Sequence, residues 1–185
     1  MIYEVVITTS DSENRPHVAP MGITYEDEMV ILKPFKPSRT LENILSSKYA
    51  VMNITTDVKI FAACITGRNN FELINLDNNN GFRLKNATSH LVLKLNKIID
   101  NETRPQLFMM NYSRVENSSF IGLNRAQAAV IEGSILASRL HMLSQEKIIS
   151  EMKYLKIAIE KTAGPNEKEA WSWLEEKVNN YFKKL

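Results

Sequence analysis

Over the first two-thirds of the chain, short β-branched and apolar runs alternate with polar turns. In the last third, apolar residues recur every three or four positions. The first pattern predicts strands. Residues 2–8 form a β-branched run, 9–14 a polar turn and 17–24 a second run. Glu26, Asp27 and Glu28 make a tight acidic turn before a third run at 29–33. Pro34 and Pro37 end that strand, because proline has no amide hydrogen to give a ladder. Residues 38–47 predict a short helix with Leu41, Ile44 and Leu45 on one face, 49–55 another strand, and 58–65 a second helix. Between 66 and 88 the periodicity fades. Asn69, Asn70 and the Asp-Asn-Asn-Asn-Gly run at 77–81 are turn formers, so this stretch predicts a long loop or a local excursion. Leu91, Leu93 and Leu95 alternate with Val92, Lys94 and Asn96, and residues 106–115 add one more strand. Six or seven strands suffice to close a small antiparallel barrel and remove its edges.

The helical third has its own punctuation. Asn124 with Gln127 three residues on reads as a capping box, followed by an Ala129, Gly133, Leu136, Leu140 face that runs to about residue 142. Ser144 can cap a second helix carrying Ile148, Met152, Leu155 and Ile159, which Gly164 and Pro165 stop. Asn166 with Glu169 predicts the cap of a third, whose apolar face is Trp171, Leu174, Val178 and Tyr181. The expected architecture is α+β, with a β-domain over residues 1–119 and a three-helix C-terminal domain over 120–185.

Composition narrows the function. Of 185 residues, 44% are hydrophobic and 24% charged, which is ordinary for a globular protein with a real core. Twenty-three Lys and Arg against 21 Asp and Glu leave a net charge of +2, so neither a nucleic-acid binder nor a membrane-surface protein is expected. No run reaches the roughly 18 apolar residues of a bilayer span, and residues 1–4 lack the pattern of a signal peptide. The expected location is cytoplasmic, so the sequons headed by Asn53, Asn86, Asn101, Asn111 and Asn117 are read as chance matches. Cys64 stands alone in an apolar run and reads as an inert buried thiol. His17, His90 and His141 are too scattered for a metal site, and none is expected. Dinucleotide, Walker and nucleophile-elbow motifs are absent.

Two segments carry candidate chemistry. Residues 33–43 (KPFKPSRTLEN) place two lysines, an arginine and two hydroxyls at a helix start. The free N–H groups and positive dipole end there suit a phosphate, with Ser38 and Thr40 as donors and Arg39 as a bidentate partner. The alternative is a plain N-cap at Ser38 with solvated cations. Upstream, residues 14–22 (NRPHVAPMG) form a strand with two prolines and a glycine. Such a strand suits either an ordinary sheet edge or one whose backbone faces a ligand.

These two segments, in this order and spacing, resemble the FMN-binding split-barrel superfamily, which includes pyridoxamine-phosphate oxidases and flavin reductases. In the oxidase-like members an Arg-headed strand lines the flavin ring, and a Ser-Arg-Lys at a helix start holds the FMN phosphate. Thr40 stands here in place of that lysine. RPHVAPMG (15–22), KPFKPSRTLENI (33–44), VMNITTD (51–57) and FIGLNRAQAAVIEGSILASRL (120–140) together are similar to a family of functionally uncharacterised prokaryotic proteins with an FMN-binding split barrel and a helical C-terminal domain. The resemblance implies a six-stranded antiparallel split β-barrel, a homodimer, and FMN at or near the subunit interface. It implies that backbone groups of His17, Val18, Ala19, Pro20 and Met21 meet the isoalloxazine ring. Lys33 and Pro34 would then lie by the ribityl chain and Ser38, Arg39 and Thr40 at the phosphate. By their chemistry, Asn43 and Asn53 suit ribityl hydroxyls or ring carbonyls, and Asn124 with Arg125 suits a second anion contact or a helix cap.

Two functions follow as expectations. One is an oxidoreductase or flavin reductase-like protein acting on a small molecule or a reduced nucleotide, with His17 as the best candidate proton donor. The alternative is a non-catalytic flavin, deazaflavin or haem carrier. An exposed Trp171/Trp173 face would instead mark an interaction surface.

Overall fold

The computed structural model describes residues 1–76 and 81–183. They form two compact units, Met1–Thr55 with Phe71–Phe120, and Thr56–Asn70 with Ile121–Leu185.

In the first unit six antiparallel strands close a barrel: β1 (Tyr3–Ser10), β2 (Pro16–Glu26), β3 (Met29–Leu32), β4 (Tyr49–Ile54), β7 (Ser89–Ile99) and β8 (Gln106–Glu116), in the order β1-β2-β3-β8-β7-β4. The ring closes where Val6, Ile7 and Thr8 pair with Asn53, Met52 and Val51. Alternation puts Val5, Ile7, Ile23, Leu32, Met52, Leu93 and Met109 into one buried cluster. Helix α1 (Arg39–Ser47) adds Leu41 and Ile44 to that cluster, so its apolar face seals barrel core.

β3 is only four residues long, and this shapes the unit. It pairs with β2 solely at 24–26 and with β8 at 107–110. Residues 16–23 of β2 are laddered to β1 on one side and, among the described residues, to no strand on the other. At the opposite end of β3, residues 111–116 of β8 likewise pair with β7 alone.

The stretch 66–88, expected as a long loop or a local excursion, contains a small hairpin of β5 (Leu73–Asn75) and β6 (Phe82–Leu84). The expected turn formers at 77–80 lie outside the described residues. Two three-residue strands are too short for a periodic signal. What holds β6 is tertiary: Asn53 Oδ1 accepts from the Leu84 amide at 2.8 Å, and the Thr8 hydroxyl donates to the Phe82 carbonyl.

The second unit is helical. α3 (Arg125–Ser138), α4 (Gln145–Thr162) and α5 (Pro165–Phe182) are joined by α2 (Lys59–Ile65), which packs on α3 and α5. The unit therefore has four helices, not three, and a boundary at residue 119 leaves out a piece that the chain supplies from inside the β-region. The cause is visible in the core, where Val58 and Ala62 are buried with Val130, Ile148, Trp171 and Leu174. Asn124 caps α3 as expected, its Oδ1 accepting from Ala126 N at 2.8 Å. The cap of α5 falls two residues earlier than Asn166. It is Gly164, whose amide donates to Glu167 Oε2 at 3.0 Å, with Pro165 opening the helix. Among the described residues no helix is long and apolar enough to cross a membrane.

Candidate functional site

The open edge of β2, the 33–37 segment leaving β3, and the first turn of α1 come together at one end of the barrel. Pairing fixes this. Thr24 opposes Ile31, so residues 16–23 run past Leu32 toward the side where the chain leaves β3. His17 opposes Thr9 across the β1–β2 ladder, and the Thr9 hydroxyl accepts from Asn43 Nδ2 of α1 at 3.0 Å. Strand edge and helix start are thus tied through one threonine.

Ser38 is the N-cap of α1, its Oγ accepting from the Leu41 amide at 3.3 Å while its carbonyl accepts from Glu42 N at 3.1 Å. The cap is satisfied, and the amides of Arg39 and Thr40 remain as the first-turn donors at the positive end of the helix. Thr40 is buried, whereas Arg39 is exposed.

Charge divides the basic residues. Arg15 is held by Asp11 at 2.7 Å and Glu13 at 2.9 Å, and Lys36 is paired with Asp100. Lys36 is therefore not a free cradle cation. Lys33 and Arg39 make no ion pair among the described residues, and Glu42 of the same turn does not engage Arg39. The field of Arg39 is felt by its neighbour: burial and then the Arg39 charge hold the His17 imidazole below its ordinary 6.5. His17 is therefore neutral at pH 7 and a poorer proton donor than its type suggests. Neutral imidazole beside an unpaired guanidinium marks a locally positive, partly desolvated spot.

On β2, Val18 is buried, and Ala19, Pro20 and Met21 are half-buried, Met21 against the barrel core. Lys33 is half-buried and Pro34 buried. All of these border the open edge.

Two asparagines differ from expectation. Asn53 is fully buried and its amide is used up: Nδ2 donates to Val6 O and Thr8 Oγ1 at 3.1 Å each, and Oδ1 takes the Leu84 amide. It anchors the β5–β6 hairpin and has nothing left for a ligand. Asn43 is buried with its donor on Thr9, so it braces the site from behind. Asn124 and Arg125 lie in the helical unit. Asn124 is spent on the α3 cap, with Nδ2 also donating to Thr162 O at 3.1 Å, and Arg125 is exposed. Capping explains that pair.

Other candidates have local roles. His90 is buried, its Nδ1 3.2 Å from Asn117 Nδ2; burial first, then Arg83, hold it below 6.5. Burial pushes the Cys64 thiol up to about 12, far from a nucleophile. Trp171 is core, and Trp173 is half-buried under the Arg68 guanidinium at 4.5 Å and the Lys59 ammonium at 5.2 Å. A cleft of about 570 Å³ beside Trp173 lies in the helical unit, and one of about 510 Å³ lies by the 26–28 turn, neither bordered by the site residues. Among the described residues no group of three or more His, Cys, Asp or Glu could hold a metal ion.

The fold has solved counterparts. An FMN-bound protein of Methanosarcina mazei, described as a DUF447 member, superposes with TM-score 0.81 at 23% identity, covering 95% of this chain and 94% of its own. The 2-nitrobenzoate 2-nitroreductase of Pseudomonas fluorescens (TM-score 0.52, 20% identity) covers 62% of this chain and 64% of its own. A flavoredoxin of Methanosarcina acetivorans (TM-score 0.54, 10% identity) covers 65% and 72%. An uncharacterized protein of Methanocaldococcus jannaschii is 28% identical over 149 residues, 76% of this chain and 75% of its own. The profile of the DUF447 N-terminal domain, a protein of unknown function, matches residues 3–118 and that of its C-terminal part 124–176, and the chain belongs to this family.

Proposed function

We propose that this protein is an FMN-binding flavoprotein of the oxidoreductase or flavin reductase-like kind. The observation that carries the reading is the edge of β2 that no described strand covers, beside a helix start whose Arg39 has no ion-pair partner among the described residues and depresses His17. A phosphate dianion is the complement of that spot: it would take the Arg39 guanidinium and the first-turn amides, with Thr40 and Lys33 alongside. Backbone groups of His17 and residues 19–21, on the side of β2 that no described strand covers, suit the rim of a flat polar ring, and Pro16 and Pro20 cost no ladder bond there. The FMN of the Methanosarcina mazei protein and the flavoredoxin among the fold relatives support the same choice. The short cradle without a dinucleotide motif favours FMN over FAD.

FMN, when bound, supplies hydride and single-electron chemistry. The chain's own part is to bind and orient it. His17, held neutral, would accept a proton or a hydrogen bond near the ring edge, and the barrel core behind Met21 excludes water. Substrates of this reading are a reduced nucleotide and a small acceptor.

The reading includes a homodimer. Residues 111–116 of β8 present an open edge, with Met110, Tyr112 and Val115 exposed beside it. Apolar side chains along an unpaired edge suit a second copy of the chain.

Titration separates the cradle from the ring contacts. FMN is expected to bind more tightly than riboflavin, which lacks the phosphate. Arg39→Ala should weaken FMN by about ten- to a hundred-fold, as loss of a charge-assisted contact does, and leave riboflavin unchanged. Equal affinity of the wild type for both flavins would refute the phosphate assignment.

A further inference from the structure

The 33–37 segment carries the cradle from β3 to Ser38, yet makes almost no bonds of its own. Every polar anchor described for it comes from the β7–β8 turn at residues 100–104. The Lys33 carbonyl accepts from Arg104 Nη2 at 3.0 Å and from Nε at 3.2 Å. The Lys36 amide donates to the Thr103 carbonyl at 2.8 Å, and the Lys36 ammonium pairs with Asp100. The Phe35 ring, 62% exposed, lies under the Arg104 guanidinium at 4.4 Å. The turn holds itself in shape. Asn101 Oδ1 accepts from the amides of Thr103 at 3.0 Å and Arg104 at 2.9 Å, and Asp100 Oδ1 accepts from the Asn101 amide at 2.9 Å.

We propose that Arg104 is a positioning residue for the anion cradle: its guanidinium clamps the Lys33 carbonyl and the Phe35 ring, and so fixes the approach of Lys33 and the first turn of α1 to the phosphate. The proposal rests on the FMN reading above. Topology supports it. Leu107 opposes Leu32, so the start of β8 and the turn before it lie at the same end of the barrel as the open edge of β2. Chemistry supports it too. A guanidinium fork can give two donors to one carbonyl while its charge sits over an aromatic ring, a combination a lysine does not reproduce. Lys36 takes the opposite part. With its charge answered by Asp100, it tethers the segment and adds no net charge to the cradle.

The test titrates FMN and riboflavin into wild type, Arg104→Gln and Arg104→Lys, and repeats Arg104→Gln in an Arg39→Ala background. Both single variants are expected to bind FMN about ten-fold more weakly, the scale seen when a supporting contact behind a ligand is removed, with riboflavin unchanged. Arg104→Gln should cost less in the Arg39→Ala background than alone, because both act on the same phosphate while Lys33 and the first-turn amides remain. In the flavin-free protein, it should also speed amide exchange at Lys36, Thr40 and Leu41. Wild-type FMN affinity in Arg104→Gln would overturn the proposal alone. Recovery of affinity in Arg104→Lys would overturn it in favour of a bare charge effect. Equal loss for both flavins would reduce Arg104 to general scaffolding. A wild type that binds no FMN would overturn the flavin reading, and the proposal with it.

Discussion

At the scale of single residues, the informative feature is a histidine held below its ordinary value beside an arginine that, among the described residues, has no carboxylate to answer it. His17 and His90 are both held below 6.5 in the fold, the first by burial and Arg39, the second by burial and Arg83. The unfolded chain, with imidazoles near 6.5, therefore binds more protons than the folded one as pH falls through that value. Stability follows the sign of that difference: it is complete above about pH 6.5 and declines as acid charges the two rings. Thermal unfolding should show a midpoint that drops between pH 7 and pH 5, with a smaller drop in His17→Gln. A midpoint that is flat or rising across that interval would contradict the assignment. Asp11 and Asp100 are also depressed, by Arg15 and Lys36 respectively, but they act below 3.8, outside this window. The helix start was legible at this scale, because Ser38, Arg39 and Thr40 stand together before an apolar helix face, and Ser38 is its N-cap. The asparagines were not. An amide suits a ribityl hydroxyl and a backbone carbonyl equally well, and only the fold reveals that Asn53 meets Leu84, 31 residues away.

At the scale of elements, strand lengths matter more than strand identities. Alternation in the sequence located all six barrel strands, yet could not say that β3 stops after four residues and leaves 16–23 of β2, on the side away from β1, without a described partner strand. That edge depends on partners, which periodicity does not contain. The same limit explains α2: its apolar run was readable, but its neighbours α3 and α5 lie at least 60 residues further along the chain. The helix contacts in that unit are close enough to test. A Cβ on Gly133 would come within 2.8 Å of Trp171 Cζ3 and 3.2 Å of Leu174 Cδ1. Alanine in a helix interior ordinarily stabilises by about 1 kcal/mol over glycine, but overpacking costs about 1–3 kcal/mol. Here the crowding sits on buried rings and should win, so Gly133→Ala is expected to lower stability in chemical denaturation by about 1 kcal/mol. A stabilised variant would mean that Trp171 can step aside.

At the scale of the whole molecule, two strand edges that no described strand covers lie at opposite ends of β3, and the proposed function gives β2 to a ligand and β8 to a second chain. If β8 pairs two copies, static light scattering should give twice the 21.2 kDa chain mass, and a Tyr112→Glu or Val115→Lys substitution should shift it toward one. A mass of one chain at micromolar concentration would remove the homodimer and leave the cradle untouched. The central claim is the cofactor, and the absorption spectrum of the purified protein, followed by identification of what heat releases, tests it most directly. Flavin bands and free FMN close to one per chain are the predicted result. A colourless protein that also takes up no added FMN would contradict the account, and the turn at Ser38 and Arg39 would then be no more than a helix cap.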